Sequence, residues 1–171
     1  MSLLKAEMRE IHGAGNKRFA IAASRFNCDF VDAMVKDARS TLIENGVEPE
    51  NIKIVRVPGS AELPFACLKL AEKASYDVII ALGVVIAGET PHHMVIAHST
   101  AQALQSISLK FGICVVNGII VANTTEQAEA RTVGKIQRGV EFAESALEMA
   151  CNFPLELENA NSVSDIINSN M

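Results

Sequence analysis

The sequence predicts an α/β fold, a three-layer sandwich with a central, mostly four-stranded parallel sheet and helices on both faces. Short apolar runs alternate with stretches of helical periodicity along the chain, and parallel strands need such crossover segments between them. Two of the runs, residues 78–86 and 113–121, are almost continuously apolar, which is typical of strands buried on both faces.

The predicted strands and helices alternate in a regular order. The strands are residues 18–24, 51–57, 78–86 and 113–121. The helices are residues 29–45, 62–74, 90–110, 123–131 and 139–151. In the first helix, Phe30, Met34, Ala38 and Leu42 recur at intervals of four residues, which predicts its buried face.

Residues typical of helix ends mark several of these boundaries. Gly46 and Gly112 are expected to end the first and third helices, because glycine readily adopts the left-handed conformation of a helix C-terminus. Thr90 and Pro91 are expected as the N-cap and first residue of the third helix. Residues 123–126, Asn-Thr-Thr-Glu, have the form of a capping box.

The chain length predicts one domain. Domains usually contain about 100–200 residues, so the 171 residues are expected to form a single domain over residues 1–151. Residues 1–16 of this domain are expected to be an N-terminal arm. Residues 152–171 are rich in Asn and Ser and are expected to be a mobile tail.

The charge and hydropathy pattern argues against nucleic-acid and membrane partners. Lys and Arg total 15 against 20 Asp and Glu, a net charge of −5, which provides no overall attraction to anionic polymers or lipids. The longest apolar stretches, residues 78–87 and 113–122, are shorter than the roughly 20 residues that cross a bilayer. The first residues mix acids and bases and do not resemble a signal peptide. We therefore expect a cytoplasmic protein.

The cysteine pattern predicts neither redox nor metal chemistry. Cys28, Cys67, Cys114 and Cys151 form no C-x-x-C pair, and two of them lie inside apolar runs. No cluster has the spacing of metal ligands, and the glycine-rich phosphate and dinucleotide motifs are missing. We expect no metal site.

Ligands of open parallel sheets bind at the carboxyl ends of the strands. This rule selects residues 24–27, 57–62, 84–92 and 121–125. Within the third segment, Gly-Glu-Thr-Pro-His-His (88–93) begins a helix, and a helix N-terminus favours an anion such as phosphate. His92 in that first turn could transfer protons near neutral pH. A surface turn with two solvated histidines fits the same pattern.

Three further side chains allow two interpretations each. Phe26 is either a stacking surface for a planar ring or a core residue. Arg131 is either a phosphate ligand or a solvated charge. Glu62 is either a binding carboxylate or an acid that stabilises its helix dipole. The residues alone therefore predict an α/β enzyme or binding protein for a small phosphorylated ligand.

In combination, these segments resemble the lumazine synthase family. The matching segments are SRFN (24–27), VPGSAELP (57–64), ALG (81–83), GETPH (88–92) and EQA (126–128) leading to Arg131. The resemblance extends over about residues 19–150. It implies a flavodoxin-like, homo-oligomeric protein, a homopentamer or an icosahedral shell of pentamers, with active sites between subunits. Riboflavin synthase is a further partner that the resemblance suggests.

The resemblance implies a transferase of riboflavin biosynthesis. The family condenses 5-amino-6-ribitylaminouracil with 3,4-dihydroxy-2-butanone 4-phosphate to 6,7-dimethyl-8-ribityllumazine, phosphate and water, without a cofactor. His92 is the implied proton-transfer residue. The implied pyrimidine and ribityl ligands are Phe26, Ser60, Ala61, Glu62, Val84, Val85, Ile86, Asn117 and Arg138. The implied phosphate ligands are Glu89, Thr90 and Arg131.

Two departures from the family pattern keep alternatives open. Asn117 stands where the family usually has phenylalanine, and Ala87 replaces a usual basic residue. A non-catalytic relative that binds flavin or lumazine, or that only forms a shell, is one alternative. An enzyme with another substrate, similar to the archaeal-type riboflavin synthase, is another.

Overall fold

The computed structural model describes residues 9–157 and contains one all-parallel sheet of four strands in the order β2-β1-β3-β4. The strands are β1 (Phe19–Ser24), β2 (Ile52–Val57), β3 (Val78–Ile86) and β4 (Cys114–Ala122). Strand β3 has the predicted bounds, and the other three begin or end within one residue of the prediction. The predicted α/β class is confirmed.

Helices cover both faces of the sheet. They are α1 (Cys28–Glu44), α2 (Leu63–Glu72), α3 (His92–Phe111), α4 (Thr125–Thr132) and α5 (Arg138–Leu147). Helices α1, α4 and α5 pack on one face, and α2 and α3 pack on the other. In β1, Phe19 and Ile21 point to the first face, whereas Ala20 and Ala22 point to the second. This alternation produces two apolar layers around a buried sheet.

The sheet's central strands are fully covered, as the apolar runs predict. All of β1 and all of β3 up to Val85 are buried, whereas the edge strands β2 and β4 are partly exposed. The face predicted for α1 is also correct, since Met34, Ala38 and Leu42 are buried and Phe30 packs against them. Hydrophobic burial on both sides thus holds the strand ends in place.

Two predicted helix starts are corrected. Helix α3 begins at His92, and Pro91 instead of Thr90 occupies the N-cap, with no side chain accepting a first-turn hydrogen bond. At α4, Thr124 is the N-cap, and its hydroxyl accepts from the Gln127 N–H at 3.3 Å. The Gln127 side chain in turn accepts from the Asn123 N–H at 2.9 Å. The capping pair therefore lies one residue later than the sequence pattern indicates.

The C-terminal helix extends beyond its predicted end at Cys151. After α5 the chain forms a π-helical turn, Glu148–Asn152, and remains helical to Leu157. The Arg9 N–H donates to Glu148 Oε1 at 3.1 Å, and the Arg9 guanidinium pairs with Glu156. The rest of the expected tail and residues 1–8 of the expected arm lie outside the described residues. Within residues 9–157, no helix is long and apolar enough to span a membrane.

Candidate active site

The strand order creates a crevice at the carboxyl end of the sheet. The chain passes from β1 to β2 on one side and then crosses to β3 on the other, so β1 and β3 flank the topological switch point. A cavity of about 460 Å³ lies there. Its walls are formed by Phe26, Asn27, Gly59, Ser60, Ala61, Val84, Val85, Ile86, Gly88, Thr90, His92, His93 and Ile96.

Phe26 lies on the loop between β1 and α1 and contributes an open ring to this cavity. Its side chain is not a core residue, because Phe26 is 72% exposed. The loop backbone is held by the end of β2: the Arg25 N–H donates to the Val57 carbonyl at 2.8 Å, and the Phe26 N–H donates to the Pro58 carbonyl at 3.0 Å. A ring presented in this way can stack on a planar ligand.

Asn27 is a wall residue that the sequence interpretation did not single out. Its backbone is left-handed, with φ 56° and ψ 45°. Its side-chain amide donates to the Val84 carbonyl at 2.9 Å. The available signal was an asparagine in the loop three residues after the first strand, since asparagine tolerates this conformation better than most residues. The Val84 carbonyl therefore already has one partner within the chain.

The turn after β2 places Ser60 and Ala61 on another wall. Ser60 is buried against Gly83 of β3, where an added Cβ would lie 2.5 Å from Ser60 Oγ. Glu62 ends the same turn, and its carboxylate accepts from the Gly59 N–H at 2.8 Å. Glu62 does not line the cavity, so its contact within this chain is with the helix start.

The N-terminus of α3 closes another side of the cavity. Gly88, Thr90, His92 and His93 line it there, and His93 Nδ1 lies 3.4 Å from the Thr90 carbonyl oxygen. The first-turn N–H groups of a helix lack intrahelical acceptors and carry the positive end of the dipole. This end of the cavity therefore suits a phosphate group. Among the described residues, the two histidines are the titratable side chains that line the cavity.

Besides Glu62, four residues that the sequence associates with the site lie outside this chain's cavity, namely Glu89, Asn117, Arg131 and Arg138. Arg131 donates to the Gln127 carbonyl at 2.9 Å within α4. Arg138 pairs with Glu141 within α5, and its buried Nε has no hydrogen-bond partner among the described residues.

Asn117 lies in the middle of edge strand β4, beside Ala81 in the parallel register. Its side chain is exposed and accepts from the Ile119 N–H at 3.2 Å. The cavity, by contrast, is formed at the carboxyl end of the sheet.

The four cysteine side chains are not among the residues that line the cavity. All four cysteines are free, and Cys28 is exposed. Burial raises the pKa of the Cys67 thiol to about 12, and it raises the pKa of Cys114 and Cys151 as well. Within the part of the chain that the structure describes, no group of three His, Cys, Asp or Glu side chains could hold a metal ion.

The fold and the cavity define a class: α/β proteins with a cavity at the switch point of a parallel sheet, here with an exposed aromatic ring and a helix N-terminus in its walls. Comparison with known proteins makes this specific. Residues 16–153 match the family model of 6,7-dimethyl-8-ribityllumazine synthase, and the chain belongs to this family. The resemblance of the sequence motifs is thus confirmed.

Curated relatives agree with the family model. The chain is 40% identical over 150 residues to 6,7-dimethyl-8-ribityllumazine synthase of Stenotrophomonas maltophilia (strain K279a), an alignment that covers 87% of this chain and 95% of the relative. It is 41% identical over 133 residues to the protein of that name from Xanthomonas euvesicatoria pv. vesicatoria (strain 85-10), covering 77% and 86%. The corresponding protein of Xanthomonas campestris pv. campestris (strain B100) is 42% identical over the same length and coverage.

Proposed function

We propose that this protein catalyses the condensation of 5-amino-6-ribitylaminouracil with 3,4-dihydroxy-2-butanone 4-phosphate to 6,7-dimethyl-8-ribityllumazine, phosphate and water, a step of riboflavin biosynthesis. One observation carries the proposal: a single cavity is lined by the exposed Phe26 ring and by His92 at a helix N-terminus. These two features match the two substrates, a planar pyrimidine and a phosphate ester. Family membership supports the same reaction.

In this proposal the pyrimidine stacks on Phe26 and takes hydrogen bonds from the backbone at the end of β3. Val84, Val85 and Ile86 are the residues proposed to provide that backbone, and the Val84 carbonyl already accepts from Asn27. The ribityl chain extends towards the turn formed by Ser60, Ala61 and Glu62. The Glu62 carboxylate then accepts from a ribityl hydroxyl in addition to the Gly59 N–H.

The phosphate ester binds at the start of α3. Its oxygens meet N–H groups at the helix N-terminus, with Glu89 and Thr90 in the segment just before the helix and the Arg131 guanidinium as a charged ligand. His92 transfers protons during imine formation, phosphate elimination and ring closure. Most of the rate enhancement comes from holding two substrates together, and the acid–base contribution is smaller, about 10²–10⁴-fold.

The complete site is proposed to form between subunits of a homo-oligomer, built as pentamers. Asn117 and Arg138 lie outside the cavity of their own chain, and Asn117 is exposed on an edge strand. In this proposal, both contribute to the cavity of a neighbouring subunit. Residues 1–151 are taken as the subunit's single domain, with the arm 1–16 at a subunit boundary.

Two finer features belong to the same proposal. Riboflavin synthase is the proposed partner, because the lumazine product is its substrate. The cytoplasm is the proposed location, because phosphorylated substrates do not diffuse across membranes and must be met where they are made.

A turnover assay with both substrates tests the proposal, following lumazine by its absorbance. Product formation well above the uncatalysed background supports the enzyme. Background turnover by a correctly assembled oligomer would overturn it. In that case, bound flavin or lumazine absorbance would favour the non-catalytic alternative.

A further inference from the structure

Arg56 connects three elements at the carboxyl end of the sheet, outside the cavity. It lies near the end of β2, on the sheet face that α1 covers. Its Nη2 donates to the carbonyl oxygen of Ser24, the last residue of β1, at 3.1 Å. Its Nη1 lies 2.7 Å from Asp32 Oδ1 on α1. One guanidinium thus ties the end of β1 and the first turns of α1 to β2.

These contacts hold the loop that carries Phe26. Ser24, Arg25 and Phe26 are each bonded to the end of β2: Ser24 to the Arg56 side chain, and the next two to the Val57 and Pro58 carbonyls. The Phe26 ring is largely exposed and gains little packing that could fix its position. The position of the ring therefore depends on the hydrogen bonds that hold its backbone.

The chemistry of arginine suits this arrangement. Its planar fork donates from two nitrogens in fixed directions, whereas lysine has a single ammonium at the end of a flexible stem. Here the two acceptors belong to different elements, a buried main-chain carbonyl and a helix carboxylate. Loss of the fork would leave the Ser24 carbonyl without this donor and would remove the ion pair between α1 and β2.

We propose that Arg56, oriented by Asp32, is a positioning residue for the Phe26 stacking surface. This inference rests on the proposed function, in which the pyrimidine stacks on Phe26. Arg56 acts through the loop backbone and does not touch the substrate.

A fluorescence experiment tests the positioning role independently of turnover. The chain contains no tryptophan, so Phe26→Trp introduces a single reporter at the ring position. In this background, Arg56→Met is expected to increase the fast local component of the time-resolved anisotropy decay, and Arg56→Lys is expected to recover part of the loss. Arg39→Met, an exposed arginine of α1, is the control and should leave the decay unchanged. An unchanged decay in Arg56→Met would overturn the inference. If Arg56→Met does not fold, the anisotropy decay of Asp32→Asn is measured in the same Phe26→Trp background. The same increase is expected, and an unchanged decay would overturn the inference.

A kinetic experiment then separates positioning from a general structural role. In the wild-type background, which retains Phe26, Arg56→Met is expected to raise the KM for the pyrimidine about three- to tenfold, the effect of about one lost hydrogen bond. The KM for the butanone phosphate should stay close to that of Arg39→Met. An equal rise of both KM values with a lower melting temperature would contradict positioning. If the natural chain itself shows no turnover, the proposed function fails, and the anisotropy result still decides whether Arg56 orders the ring.

Discussion

The Asn27 side-chain amide donates a 2.9 Å hydrogen bond to the carbonyl oxygen of Val84. The two residues lie at the carboxyl ends of β1 and β3, the strands that flank the switch point. Both also line the cavity. This bond therefore connects two walls of the candidate active site, on the opposite side of the Phe26 loop from its contacts with β2.

Two substitutions of Asn27 should separate the effect of its side-chain hydrogen bond on stability from the effect of its left-handed backbone. Asn27→Gly keeps the left-handed backbone but removes the side-chain bond, so it is expected to lower the free energy of unfolding by about 1 kcal/mol. Asn27→Ala adds the cost of a left-handed non-glycine residue, about 1–2 kcal/mol more. Denaturant unfolding at one fixed protein concentration measures both. Equal stability of the two variants would argue that the backbone conformation imposes no cost here.

His92→Ala is expected to reduce kcat about 10²-fold while leaving product formation above background. The imidazole supplies proton transfer, and substrate positioning is untouched. His98→Ala is the matched control, because His98 is an exposed residue of the same helix outside the cavity. Steady-state kinetics measure kcat for both variants. A wild-type kcat in His92→Ala as well as in His98→Ala would contradict the role of His92.

Arg131→Ala is expected to raise the KM for the butanone phosphate at least about tenfold, since a charge-assisted hydrogen bond contributes about 1.5–3 kcal/mol. The KM for the pyrimidine should change little. Arg39→Ala provides the control for loss of an exposed arginine. A wild-type KM for the butanone phosphate in Arg131→Ala would show that Arg131 does not bind the phosphate group.

Gly83→Ala is expected to disturb the turn that carries Ser60. The new Cβ would lie 2.5 Å from Ser60 Oγ and 3.1 Å from Leu63 Cδ1, so the Ser60 side chain or the turn that carries it must shift. Overpacking of this kind costs about 1–3 kcal/mol of stability, measured by denaturant unfolding. Gly15→Ala is the control, since its nearest contact at 3.6 Å is ordinary. A wild-type free energy of unfolding in Gly83→Ala would show that the turn accommodates the added methyl group without cost.

The four thiols should react at very different rates with a disulfide reagent at pH 8. Cys28 is exposed and is expected to react first. The Cys67 thiol is buried and has a pKa of about 12, so it stays protonated at pH 8 and should react only after unfolding. Cys28→Ser should abolish the fast phase. A fast phase that survives in this variant would contradict its assignment to Cys28.

Many residues of the candidate site could be predicted from the sequence, but not which of them share one cavity or contact one another. Phe26, Ser60 and His92 follow predicted strands, and the rule for parallel sheets places all three at the same edge. Asn27 was missed because its role depends on Val84, 57 positions away. Glu62 and Arg131 carry suitable charges, yet their contacts in this chain are with the Gly59 N–H and the Gln127 carbonyl. Charge type is visible in a sequence, whereas the partner of a charge is not.

The sequence by itself determined the alternation of strands and helices, because the periodicity of buried residues is a local property of each segment. It also determined the family, through short motifs in a constant order. Only the tertiary structure decided the strand order β2-β1-β3-β4, the start of α3 at His92, and the set of side chains that share one cavity. Those features depend on the pairing of segments far apart in the chain, and that pairing is settled by which arrangement buries both faces of the sheet at once.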